Sequence, residues 1–300
     1  MSDSTEQPSK DGIKILVARA AGSDLFSIGE IVNKILSTIR NPATSAGELK
    51  KLIEVDPPLC AKVLSRANSA YYGFKREISS IQDAIVFIGY NAINELCLSM
   101  KVGTLFEKER NLSFYSRRNL WSHSLAVATC SKLLYRRELG LRGDNIYSAS
   151  LLHDLGVIVE EQYSFVEFKE IVKGCEGGQR SFLELEHEIL GFGHPEVAAA
   201  LAAQWSLPEW MGASMRLHHE PELSVGLGGE IAMASRAIFV SDIAARLAGF
   251  GWEAPPSERD MQRWNAALGE LNVSPKAMEI IIQDAKAEMQ RLKEAGDMYL

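Results

Sequence analysis

Residues 45–73 read SAGELKKLIEVDPPLCAKVLSRANSAYYG, and the punctuation of this stretch decides the fold class. Ser45 and Glu48 stand at capping-box spacing, so a helix is expected to open there and run through Leu49, Leu52 and Ile53. Asp56-Pro57 stops that helix and starts another, with Asp as N-cap and Pro at the first helical position. Leu59, Val63 and Leu64 then face inward, and the helix should end near Asn68-Ser69, before Gly73.

The same period extends both ways. Upstream, Ile28, Ile31, Val32, Ile35, Leu36 and Ile39 follow the i, i+3, i+4, i+7 pattern of one buried face. Downstream, Ser79 or Ser80 caps a helix with Ile81, Ala84, Ile85 and Ile88 inward. Gly89-Tyr90 breaks it, and Ile93, Leu96 and Leu98 continue beyond. Further helices are expected at 120–138, 145–160, 163–173, 181–189, 195–205, 208–218 and 229–248, and a last one from Ser274-Pro275. Strand alternation and hairpin turns are not evident, so the expectation is an all-α chain. The polar stretch EKERNLSFYSRRNL (107–120) reads as a connection between lobes. The expected division is a disordered tail at 1–12, a helical lobe at 13–107 and a second helical lobe at 108–300.

Composition narrows the function classes. The 300 residues are 46% apolar and 24% charged, with a formal net charge of −7. A protein that binds nucleic acid generally through its phosphates is more often basic, so general nucleic-acid binding is not expected. No run approaches the roughly 18–20 apolar residues of a membrane span, and Met1–Gly12 lacks the apolar core of a secretion signal. Cys60, Cys97, Cys130 and Cys175 stand far apart without a CxxC pair, as reduced thiols of a cytoplasmic protein would.

The six histidines all fall between His123 and His219. His153 precedes Asp154, His218 adjoins His219, and Asp242 sits mid-helix in the apolar AIFVSDIAARL, where a bare carboxylate is costly to bury. Imidazole and carboxylate together suit divalent first-row metals. Each has a plainer reading: His123 as a satisfied core histidine, His194 before Pro195 as a helix start, and the His-His pair as a helix C-terminus. His187, in the charged LELEHEIL, reads as solvent-exposed and is left out of the site.

The order His123, His153-Asp154, His194, His218-His219, Asp242 resembles the ligand order of the HD superfamily. ASLLHDLGVI (149–158) is similar to its HD-motif helix, and GFGHPEVAAALAAQWSLPEWMGASMRLHHEP (191–221) to the segment that closes HDOD domains. The amino-terminal stretch quoted first, with ISSIQDAIVFIGYNAINELCL (78–98), also resembles the HDOD pattern. The resemblance runs from about residue 24 to 222, with Asp242 as a further match.

It implies one divalent metal on His123, His153, Asp154 and Asp242. A second would rest on His194, His218 and His219, with Asp154 bridging. Mixed N/O ligation favours iron, manganese, nickel or zinc over calcium, and the resemblance to two-metal relatives implies iron or manganese among them. Adjacent His218 and His219 point about 100° apart on an ideal helix, so both reach one site only at a helix end or an unwound turn.

Two departures bear on activity. Val157 stands where HD-GYP enzymes carry a lysine for substrate phosphate, and HHEPELSVGLGG lacks the Gly-Tyr-Pro triplet. Arg180 and Arg216 are the available substitutes. The implied function is therefore a regulatory one in bacterial signalling, through a protein partner or nucleotide ligand. The alternative is a metal-dependent phosphohydrolase acting on a nucleotide or cyclic nucleotide.

Overall fold

The computed structural model describes residues 10–21, 24–40, 46–108 and 110–294. The expected cap at Ser45, the inward face of Ile39 and residues 1–9 of the expected tail lie outside the described residues. The remainder of that tail does not hold, because Lys10, Asp11 and Gly12 already belong to a helix.

The amino-terminal helices are α1 (Lys10–Ala21), α2 (Asp24–Arg40), α3 (Ala46–Glu54), α4 (Pro57–Ala67), α5 (Ile81–Ile88) and α6 (Tyr90–Gly103). Asp56 caps α4, its carboxylate accepting the Leu59 N–H at 3.0 Å, with Pro57 opening the helix. Ser80, not Ser79, caps α5 through the Asp83 N–H. Gly89 separates α5 from α6 at φ +98°, a left-handed conformation that disfavours any other residue.

A two-residue pair, β1 (Asn111–Leu112) with β2 (Tyr115–Ser116), interrupts the all-α expectation only locally. Ser113 turns it at φ 52°, a turn that no alternating flank announced. The rest is helical: α7 (Arg117–Arg137), α8 (Asp144–Leu152), α9 (Leu155–Tyr163), α10 (Phe165–Gly174), α11 (Phe182–Ile189), α12 (His194–Gln204), α13 (Glu209–Arg216), α14 (Gly229–Leu247), α15 (Glu258–Glu270) and α16 (Pro275–Glu294). The single helix expected at 145–160 is two, α8 and α9, broken at His153-Asp154. Helix α15 was not anticipated; its capping box pairs Ser257 with Asp260 rather than Glu or Gln.

α7 lies along α14, α8 and α16, while α13 bridges α12 and α14 and α9 packs on α12. The amino-terminal helices join this bundle through α6 on α8 and α1 on α9 and α12. One apolar core runs through both halves, from Ile35, Leu49 and Ile93 to Val127, Ile158, Val197 and Val240. Among the described residues no single helix is long and apolar enough to cross a membrane.

Candidate metal centre

Each site residue sits where local structure aims it at the centre of the bundle. His123 lies about a third of the way along α7 and Asp242 in the last third of α14, two helices that pack closely on each other. His153 and Asp154 occupy the break between α8 and α9, so both side chains turn inward from one short corner. His194 is the first residue of α12. α13 ends at Arg216, and His218 and His219 follow it in non-helical backbone with ring centroids 4.0 Å apart. The angular conflict expected for adjacent helical residues is thereby removed.

All seven residues converge in two groups. Ligand-type atoms of Asp154, His194, His218 and His219 lie within 4.8 Å of one another, as do those of His123, His153 and Asp242. Asp154 joins the two. Its Oδ1 is 3.2, 3.4 and 3.5 Å from Nε2 of His153, His194 and His218, and its Oδ2 is 3.7 Å from His123 Nε2. Asp242 Oδ1 lies 2.8 Å from His123 Nε2, and Nε2 of His194 and His219 are 3.0 Å apart. Ligands about 2.1 Å from one ion stand about 3.0 Å apart at right angles and about 3.4 Å apart in a tetrahedron. The spacings found here suit that geometry.

The far side of each ring fixes its tautomer. Nδ1 faces a backbone carbonyl in three cases: Phe250 for His123 (2.9 Å), Ser150 for His153 (2.6 Å) and Met215 for His218 (2.5 Å). A carbonyl can only accept, so Nδ1 carries the hydrogen and Nε2 presents a lone pair to the carboxylates. Nε2 of His123, His153 and His218 accordingly has no hydrogen-bond partner although fully buried. At His123, Asp242 Oδ1 stands 2.8 Å from Nε2 without hydrogen-bond geometry; burial lowers this imidazole, but Asp242 and Asp154 prevail and raise it above its ordinary value.

The charges agree with a cation-binding pocket. Burial pushes the Asp154 carboxyl up, but His153, His194 and His218 around it outweigh burial and hold it well below the usual range. Burial is likewise overcome at Asp242 by His123 and Arg246, so this carboxyl too is held low. Burial lowers His219 well below its ordinary value, with His218 and His194 adding to the effect. His218 is lowered chiefly by burial. Against its burial, His194 is raised well above its usual range by Glu186 and Asp154.

Several participants were not anticipated. Glu186 is fully buried behind His194; its carboxylate lies 2.8 Å from Nδ1 and accepts the His194 backbone N–H at 3.2 Å. A signal existed: Phe182, Leu185, Glu186 and Ile189 make an i, i+3, i+4, i+7 stripe with a carboxylate on its apolar face. His187, one step along, is exposed as expected. Trp252, which donates to Asp154 Oδ2 at 2.8 Å, lies in a GFGWEAPP segment with no periodic pattern to mark it.

A cleft of about 920 Å³ opens on the centre at His219, walled by residues 175–184, Arg246 and the start of α15. Arg180 lines it but pairs with Glu188, and Arg216 is exposed on the end of α13. Val157 is fully buried in α9.

The fold has solved counterparts. An HDOD domain protein of unknown function from Geobacter sulfurreducens aligns with a TM-score of 0.74 at 26% identity, over 90% of this chain and 92% of that one. A protein assigned to signal transduction from Marinobacter aquaeolei VT8 also gives 0.74, at 21% identity, over 90% of this chain and 59% of that one. An uncharacterized protein of Treponema pallidum (strain Nichols) is 25% identical over 234 residues, and the match covers 74% of this chain but 44% of that curated relative. The HDOD domain pattern itself matches residues 25–221, about two thirds of the sequence, and the chain belongs to the HDOD domain family.

Proposed function

We propose that this protein is a metal-binding HDOD regulatory module, acting in the cytoplasm on a signalling partner or nucleotide ligand. The observation that carries the metal is the convergence of the buried, unpartnered Nε2 atoms of His123, His153 and His218 on the Asp154 and Asp242 carboxylates. Imidazole lone pairs facing carboxylate oxygens repel unless a proton or a metal ion lies between them, and a metal ion serves several rings at once. The nearby side-chain cation, Arg246, reaches Asp242 at 3.6 Å and is shared with Glu253. Asp154, His194, His218 and His219 would hold one ion, and His123, His153 and Asp242 a second; the mixed ligand set suits iron, manganese, nickel or zinc, and the resemblance to two-metal relatives favours iron or manganese. Such an ion would supply Lewis acidity and an activated water.

Regulation is favoured over turnover because the position that would carry a phosphate-binding lysine is Val157, sealed in the core. A mobile cation at the reacting phosphoryl group is worth a few kcal/mol of transition-state stabilisation. The cleft over His219 favours the second reading, a metal-dependent phosphohydrolase, since Arg180, Arg246, Arg259 and Arg263 line it. Three of these are committed to carboxylates: Arg180 to Glu188, Arg246 to Asp242 and Glu253, and Arg263 to Glu222. Elemental analysis of purified protein, paired with turnover assays on nucleotides and cyclic nucleotides with Mn(II) or Fe(II), separates the two. Bound metal without turnover supports the regulatory module; metal-dependent hydrolysis establishes the enzyme; absence of metal removes both.

A further inference from the structure

The HDOD match ends at residue 221, yet the metal centre is completed by residues well beyond it. Asp242 comes from α14, and the segment 248–256 that follows α14 folds back across the bundle. The Phe250 carbonyl accepts from His123 Nδ1 at 2.9 Å. The Trp252 indole N–H donates to Asp154 Oδ2 at 2.8 Å, from a ring only 4% exposed. Glu253 holds Arg246 at 3.0 Å, and Arg246 in turn reaches Asp242. A nine-residue stretch thus touches three of the seven site residues, two directly and one through Arg246.

Trp252 differs from the other contacts in chemistry. Indole nitrogen is a donor only, so it can serve a carboxylate but cannot compete for a metal or for an imidazole lone pair. Its partner, Oδ2, is the oxygen turned away from His194 and His218, whereas Oδ1 faces those two rings and His153. A hydrogen bond on one carboxylate oxygen fixes the plane of the group and the direction in which the other oxygen points. Without it, rotation about the last side-chain bond is broad. The ring is itself clamped, edge-on to Phe182 at 4.9 Å and to Tyr115 at 6.1 Å between centroids. Phe182 opens α11, the helix that carries Glu186 to the back of His194.

We propose that the 248–256 segment is a built-in wall of the metal centre and that Trp252 is a positioning residue, holding Asp154 so that Oδ1 serves the ion bound with His194, His218 and His219. This rests on the metal reading above.

The test is metal affinity in the full chain. Apo-protein prepared by chelation is titrated with Mn(II), following bound metal and tryptophan fluorescence. Trp252→Phe keeps an aromatic ring for Tyr115 and Phe182 but removes the N–H. Loss of a hydrogen bond behind a metal ligand typically weakens binding about 10- to 100-fold, and that loss is expected here. Mn(II)-induced quenching, expected in the wild type because the Trp252 indole touches Asp154, should shrink in the variant. Replacement of Trp252 by benzothienylalanine, which keeps the bicyclic shape and lacks only the N–H, should weaken binding equally, and it serves if the Phe variant does not fold. Wild-type Mn(II) affinity in either folded variant, even with a lowered melting temperature, overturns the proposal and leaves the metal centre standing. Failure of the wild-type chain to take up Mn(II) or Fe(II) removes the metal reading, and this inference with it.

Discussion

At the residue scale, the centre depends on two neighbours of His194 that contribute no ligand atom. Gly156 is one. A Cβ added there would stand 2.1 Å from the His194 carbonyl oxygen, so the first turn of α12 reaches α9 only because position 156 has no side chain. Gly156→Ala is expected to cost about 1–3 kcal/mol by overpacking and to displace His194, so denaturant melts should shift and Mn(II) binding should weaken together. Loss of stability with untouched metal affinity would show that His194 is positioned otherwise. Glu186 is the second neighbour. It accepts from His194 while the fully buried Glu160, with no hydrogen-bond donor of its own, lies beside it; burial and then Glu186 raise the Glu160 carboxyl well above its usual range. Glu186→Gln keeps the volume and removes the charge that orients the ring. Mn(II) affinity should fall about 10- to 100-fold with the far-UV circular dichroism unchanged, and an unaltered isotherm would mean that Glu186 is only a core carboxylate.

At the scale of elements, legibility followed the strength of local punctuation. Asp56-Pro57, the Gly89 break and Ser274-Pro275 announced helix boundaries because caps and prolines act within one turn of themselves. The break between α8 and α9 carries no glycine or proline at His153-Asp154, and periodicity ran straight through it. Two residues beyond the break, Gly156 admits the first turn of α12 against α9, a tertiary contact that periodicity cannot see. The seven residues that converge could be picked out by their order, whereas Trp252 became visible only once the chain folded back. The Asp56 cap also offers a pH test. Its carboxylate accepts from Leu59 and pairs with Lys101; burial opposes ionisation, but the Lys101 and Leu59 contacts prevail and hold the carboxyl below its ordinary 3.8. A carboxyl lowered on folding stabilises above its unfolded value and loses that contribution as pH falls through the folded one. Asp56→Ala should therefore cost about 0.5–2 kcal/mol near neutrality, and the difference from wild type should narrow below about pH 4. An equal penalty at pH 7 and pH 3 in urea melts would assign the effect to packing rather than to the charged cap.

At the scale of the whole molecule, charge and linkage set what to expect. With a net charge of −7 the chain should show no submicromolar, steeply salt-dependent affinity for random-sequence duplex DNA, and a filter-binding series across salt concentrations that found one would reveal a basic face the total conceals. A bound ion would act on the entire fold, because its candidate ligands come from α7, the α8–α9 corner, α12, the segment after α13, and α14. An ion held by so many elements binds the folded chain far better than the unfolded one and stabilises it by mass action, about 2.7 kcal/mol at a free concentration 100 times Kd. For a domain of this size each kcal/mol moves the melting temperature by about 2 °C, so saturating Mn(II) should raise it by about 5 °C and a chelator should reverse the rise. The comparison that matters is the metal-induced shift within each protein, since Asp154→Ala changes the apo stability as well. Asp154 is the carboxylate common to both groups of imidazoles, at 3.2–3.7 Å from four of them. Its removal should abolish most of the shift whatever the starting temperature. A full 5 °C rise in Asp154→Ala would place the stabilising ion somewhere other than the centre of this bundle.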